Sequence, residues 1–232
     1  MIEVRRAADR FRTVADGRDT RHSLSFGPHY DPANLRFGSL VCHNDDRVLP
    51  GHGYPDHPHT DLEIVTWVLS GSLRHEDSRG NAGVVTPGRA QAMSAGSGVV
   101  HAETVDRAAG PTRFIQTWVL PDEPGLTPSY SSGDVTVAET WTPVASGAGH
   151  EAAARIGAAG ATFWAATPPL GAVLTVPEVP SAHLFVAEGQ VDLTPERGEP
   201  VHLAASDAVR LREETALLTV TEPAHLLLWT FA

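Results

Sequence analysis

Leu62-Glu63-Ile64-Val65-Thr66-Trp67-Val68-Leu69-Ser70-Gly71-Ser72-Leu73 is a strand-forming run of β-branched and aromatic residues, broken by a glycine turn before a return strand begins. The second half of the chain echoes it in His183-Leu184-Phe185-Val186-Ala187-Glu188-Gly189-Gln190-Val191-Asp192-Leu193. A fainter echo links Thr86 to Met93 with Ala205 to Leu211. Outward from these runs the same grammar continues. Short strands are expected at Leu35 to Cys42, Gly83 to Val85, Ala90 to Met93, Arg113 to Leu120 and Asp134 to Ala138, then from Thr162 onward to Phe231. The punctuation comes from 21 Gly and 18 Pro, and helical periodicity is nearly absent. Ala145 to Gly160 reads as a linker, or as one short alanine-rich helix around Glu151 to Ile156. Many short strands at regular spacing imply barrels or jelly rolls, and the echo implies two of them. The expected fold is therefore all-β, with few short helices and two consecutive β-barrels over residues 1–140 and 141–232.

Composition narrows the function classes. At 232 residues the chain can bury a sizeable core, and no apolar run approaches the roughly twenty residues of a membrane span. The first residues, Met1-Ile2-Glu3-Val4-Arg5-Arg6, lack the apolar segment of a secretory signal, and the one cysteine, Cys42, allows no internal disulfide. A cytoplasmic location with no membrane partner is the expectation. A net charge of −11 opposes direct nucleic-acid binding, which depends on cations neutralising phosphates. Arg5, Arg6, Arg10 and Arg12 form the sole basic cluster, expected to be a solvated face.

Two segments carry chemistry. His57-Pro58-His59 and Gly98-Val99-Val100-His101-Ala102-Glu103 each offer two ligand-type side chains at a spacing of two. On a β-strand that spacing puts both on one face, so together they can aim three imidazoles and one carboxylate at one ion. Such a donor set accepts most first-row transition metals. The second half has neither pair; His183, His202 and His225 stand singly and are expected to be structural. Only the first barrel is therefore expected to hold metal.

Gly51, His57, His59 and Glu63 resemble the first cupin motif, and Gly98 to His101 the core of the second. More narrowly, Arg21 to Gly27, Tyr30 to Pro32, Asn44 to Val48, His57 to His59, Glu63 to Gly71, His75 to Asn81 and Met93 to Glu103 resemble the pirin family, over about residues 20 to 121. The shorter C-terminal half is similar to the bacterial quercetinase-type members. Thr60 departs from the pattern, since many relatives carry arginine there. The resemblance implies a bicupin with His57, His59, His101 and Glu103 as ligands of Fe(II), with Cu, Ni, Mn, Co and Zn as alternatives.

Glu63 is a ligand in general cupins, but four protein ligands already leave two octahedral positions for water or substrate. It is read as a neighbour of the site, and Glu63, Asp61 and backbone carbonyls are candidate acceptors for the ligands' second ring nitrogens. The family likeness further implies a quercetin 2,3-dioxygenase-like reaction on a small aromatic or enolic substrate with O2, Glu103 being the proton acceptor. Strand parity makes Phe37, Trp67, Gln116 and Trp118 candidate walls of the substrate pocket. The alternative, also implied by the family, is a non-catalytic metal-binding co-regulator with a protein partner, a transcription factor or a metabolic enzyme. A third is a metal-dependent cupin acting on another small molecule.

Overall fold

The computed structural model describes residues 1–232. Its regular structure is nearly all strand; the one helical element is the 3₁₀ turn Ala7–Asp9. No helix is long and apolar enough to cross a membrane. The chain divides into two compact units. One comprises Phe11–Val135 with Ala152–Ala159, the other Met1–Arg10, Thr136–Glu151 and Gly160–Ala232.

In the first unit two antiparallel sheets form a jelly-roll sandwich. The larger has the order Ser129–Asp134, Arg89–Ser94, Glu63–Ser70, Thr112–Val119, Leu40–Val48, Arg18–His22, Phe11–Ala15. The smaller runs Gly53–His59, Val99–Thr104, Leu73–Asp77, Ala82–Val85. Alternation along each strand sends one set of side chains inward. Val48, Val68 and Phe114 of the larger sheet meet Leu73 and Val85 of the smaller in one buried cluster. The unit's outer stitching includes Arg113, whose guanidinium grips the fully buried Asp45 carboxylate with two bonds of 3.0 and 2.9 Å.

The second unit is built on two long strands, Ser181–Pro195 and Ala216–Phe231, paired along most of their length. Register shifts between Val186 and Val191 mark bulges, and Gly189 sits there at φ 78° with no room for a Cβ. Leu184, Val186, Leu193, Leu218, Leu226 and Leu228 fill the core it curls around.

The repeated motif thus reads differently in three dimensions. Glu63–Ser70 and Leu73–Asp77 lie in different sheets and do not pair, so Gly71 marks a crossing between layers and not a hairpin. In the second copy Gly189 lies within one continuous bulged strand. The helix considered for Glu151 to Ile156 is absent. Ala154–Arg155 is a short strand, and Arg155 exchanges backbone bonds with the Ser131 hydroxyl.

Two further expectations shift. The boundary drawn after residue 140 ends neither unit, because Ile2–Arg5 pairs with Ala208–Leu211 and 152–159 returns to the first unit. The basic cluster is not a plain solvated face: Arg10 is buried over the Phe185 ring, and Arg6 bonds Asp207 and the His202 carbonyl.

Candidate metal centre

Gly53–His59 and Val99–Thr104 are neighbouring antiparallel strands with His101 opposite His57 and Val99 opposite His59. A bulge between His101 and Glu103 resets the register, so that Glu103 faces Tyr54 and Thr104 faces Gly53. The ligand-type nitrogens of His57, His59 and His101 lie within 4.8 Å of one another. Ring centroids stand 4.8 Å apart for His57 and His59, and 4.4 Å for His57 and His101. Glu103 falls into a second cluster of the same tightness with His101 and His75. Three of the four side chains expected at the site thus form one cluster, and Glu103 lies beside His101 in a second, with a histidine that the spacing argument did not include.

The ring nitrogens show what this pocket of imidazoles is built to meet. His57 Nδ1 bonds the Pro55 carbonyl at 2.8 Å, which leaves Nε2 with its lone pair. His59 Nε2 and His101 Nε2 are buried and have no hydrogen-bond partner. Buried polar atoms are normally paired, so two partnerless Nε2 atoms beside a third imidazole fit a cation-binding role. Burial, with mutual repulsion second, lowers the His59 pKa to about 4 and that of His101 to about 3. Both imidazoles are thus neutral and ligand-competent at neutral pH.

Glu103 is 1% exposed. Burial, opposed by the Gln116 hydrogen bond and reinforced by the nearby Asp46 charge, pushes its pKa up to about 7. Gln116 Nε2 donates to Glu103 Oε2 at 2.7 Å, and Trp118 Nε1 donates to Gln116 Oε1 at 3.2 Å while its ring edge meets His59. Gln116 and Trp118, proposed from strand parity as pocket walls, hold the carboxylate and flank a histidine.

Other candidates lie elsewhere. Glu63 accepts hydrogen bonds from the Ser94 hydroxyl and the Gly157 backbone, on the strand face opposite Thr66, the residue that approaches Glu103. Trp67 shares the Glu63 face and is fully buried. Asp61 Oδ1 accepts from the Gly125 amide at 2.6 Å and so pins a loop. Phe37 is buried at the Phe37 to Leu40 bridge. Neither the Glu63 nor the Asp61 carboxylate bonds a site histidine. Sequence reasoning passed over His75, although Leu73, His75 and Asp77 alternate with the exposed Arg74 and Glu76 in a pattern that marks a buried face.

With this geometry in place, comparison with known proteins is decisive on kinship. The pirin family model matches residues 3–119. The chain belongs to the pirin family. Over 98% of its length this pirin is 46% identical to a Mycobacterium tuberculosis protein named "Putative quercetin 2,3-dioxygenase", of which the match covers 94%. It is 40% identical over 56% of both chains to the Escherichia coli protein named "Quercetin 2,3-dioxygenase". The E. coli bacterial pirin YhhW in complex with nickel(II) superposes with a TM-score of 0.89 at 27% identity, covering 100% of this chain and 99% of that one. The jelly-roll architecture expected from the strand pattern, and the cupin fold that the family resemblance implies, are thereby shown.

Proposed function

We propose that this pirin is a metal-dependent dioxygenase acting on a flavonol such as quercetin, with Fe(II) held by His57, His59, His101 and Glu103 in the N-terminal unit. The observation that carries the reading is the pair of buried, partnerless Nε2 atoms on His59 and His101, set within ligand distance of His57. A nickel complex of a related pirin and the dioxygenase names of relatives support it. A bound divalent metal would supply Lewis acidity toward an enolate oxygen and a redox partner for O2.

The chain supplies the rest. His57 is half-buried while His59, His101 and Glu103 are buried, so substrate reaches the site from the His57 side. Glu103 takes the flavonol 3-hydroxyl proton, because its carboxylate is buried beside His101 with no cationic side chain to compete for it. Gln116 keeps its second oxygen occupied and its plane fixed. Trp118 closes the apolar side of His59 and limits water there.

The test is oxygen uptake and loss of quercetin's near-ultraviolet band by Fe(II)-loaded protein. Turnover that vanishes in His59→Ala and His101→Ala is expected. A fully loaded protein inert toward a panel of flavonols would transfer the case to the non-catalytic co-regulator.

A further inference from the structure

The segment His75-Glu76-Asp77-Ser78-Arg79-Gly80-Asn81 lies behind the histidines and has no role in the function proposed above. On the strand Leu73–Asp77, His75 stands opposite Glu103 and Asp77 opposite His101. His75 is wholly buried and its Nδ1 lies 3.4 Å from His101 Nδ1, on the side of that ring turned away from the orphaned Nε2. Its other nitrogen, Nε2, lies 3.3 Å from Asp77 Oδ2. Asp77 is itself fixed: Oδ1 accepts from the backbone amides of Arg79 at 2.9 Å and Asn81 at 3.0 Å, and Oδ2 accepts from Asn81 Nδ2 at 2.9 Å. Tyr130 stacks on the His75 ring at 5.1 Å and donates to Gln91, so the ring is held from its face as well.

Hydrogen-bond chemistry then dictates every proton. An ionised carboxylate only accepts, so His75 must carry its hydrogen on Nε2. His101 Nε2 faces no acceptor, so a hydrogen there would be a buried donor left unpaired, whereas on Nδ1 it meets the remaining nitrogen of His75, a lone pair at 3.4 Å. The neighbouring nitrogen must then be the donor, which places the hydrogen of His101 on Nδ1 and frees Nε2. We infer that Asp77 and His75 form a relay of positioning residues that locks His101 into the tautomer and orientation needed to bind a divalent cation through Nε2. The inference rests on the ligand set proposed above for His57, His59, His101 and Glu103. It assigns the loop Ser78 to Asn81 a function too: its amides anchor the far end of the relay.

Partners of ligand histidines typically contribute 10- to 100-fold in metal affinity. The decisive measurement is two-bond ¹H–¹⁵N correlation on protein with ¹⁵N-labelled histidine, metal-free and then titrated with zinc(II) as a diamagnetic probe, alongside zinc dissociation constants. In metal-free protein His101 should be protonated at Nδ1 and His75 at Nε2. His75→Phe should let His101 populate both tautomers and weaken zinc binding about 10- to 100-fold. His75→Gln, whose side-chain oxygen can still accept from Nδ1–H, should stay within about threefold of the parent. Asp77→Ala should give the mixed His75 tautomer with the strands' amide spectrum preserved.

A His101 protonated at Nε2 in the metal-free protein, or a His75→Phe variant with parental tautomer and affinity, would overturn the relay. If instead the tautomers are as stated but zinc leaves the His57, His59 and His101 signals unmoved, the ligand set fails and the metal-binding part of the inference falls with it.

Discussion

Gly53→Ala should damage the metal centre from outside it. Gly53 lies at φ 156°, opposite Thr104, where the two histidine-bearing strands come together. A Cβ there would stand 2.1 Å from the Glu103 carbonyl oxygen and 2.7 Å from Thr104 Cα. Ordinary contact needs about 3.5 Å, so the strands must part by about 0.8–1.4 Å. Forcing a side chain into a filled space costs about 1–3 kcal/mol, and the backbone conformation adds about 1–3 kcal/mol, giving a loss of about 2–6 kcal/mol. That is a large share of a typical 5–15 kcal/mol stability, though short of unfolding a well-built domain.

The same displacement moves Glu103 against His57 by several times the tolerance of about 0.2 Å in metal–ligand distances, so bound metal should fall well below one per chain. The assay is urea denaturation with elemental analysis, using Gly171→Ala as control. Gly171 has φ 81° but open space around its Cβ position, so it registers conformational strain without the clash. Unchanged midpoint and full metal content in Gly53→Ala would refute the assignment of this contact to the integrity of the site.

Other expectations are more compact. Glu103→Gln should reduce flavonol turnover more than metal content if the carboxylate accepts the proton; equal losses would limit Glu103 to ligation. Acidification should destabilise metal-free protein. His59 and His101 have folded pKa values depressed below the unfolded value near 6.5, so the unfolded chain binds more protons between about pH 3 and 6.5 and stability falls as pH falls. From pH 7 to 5 each contributes about 2 kcal/mol, and a His101→Asn protein should show a shallower decline in denaturation midpoint over that window. Asp45→Ala should cost about 3–5 kcal/mol by leaving the Arg113 guanidinium without its buried partner, read as a lowered urea midpoint. Arg10→Ala should lower thermal stability measurably, because Arg10 is buried against Phe185.

What sequence could reveal about the site follows from the period of a strand. His57 with His59, and His101 with Glu103, converge because residues two apart share a face, and no tertiary knowledge is needed for that. Glu63 lies outside the reach of the same rule. Four residues after His59 it would share the face only on an unbroken strand, yet the strand ends at His59, Asp61 takes φ 50°, and the chain re-enters in the other sheet at Glu63. His75 and Asp77 were missed because a segment reading Leu-Arg-His-Glu-Asp looks solvated. Its burial depends on the partner strand at Val99–Thr104, which lies far along the chain. Phe37 and Trp67 are buried as parity suggests for aromatics, but parity alone does not say which of two packed faces looks toward the histidines.

The pairing of Ile2–Arg5 with Ala208–Leu211 imposes a timetable on synthesis. A ribosome adding about 5–20 residues per second emits the first strand some 10–40 s before its partner exists. Phe11–Val135 brings together all eleven strands of the histidine-bearing sandwich in that interval, while the opening segment trails as an unsatisfied edge. Nascent chains should therefore acquire the histidine cluster early and seal their N-terminal strand last, which makes that edge the segment most in need of a chaperone's cover during translation.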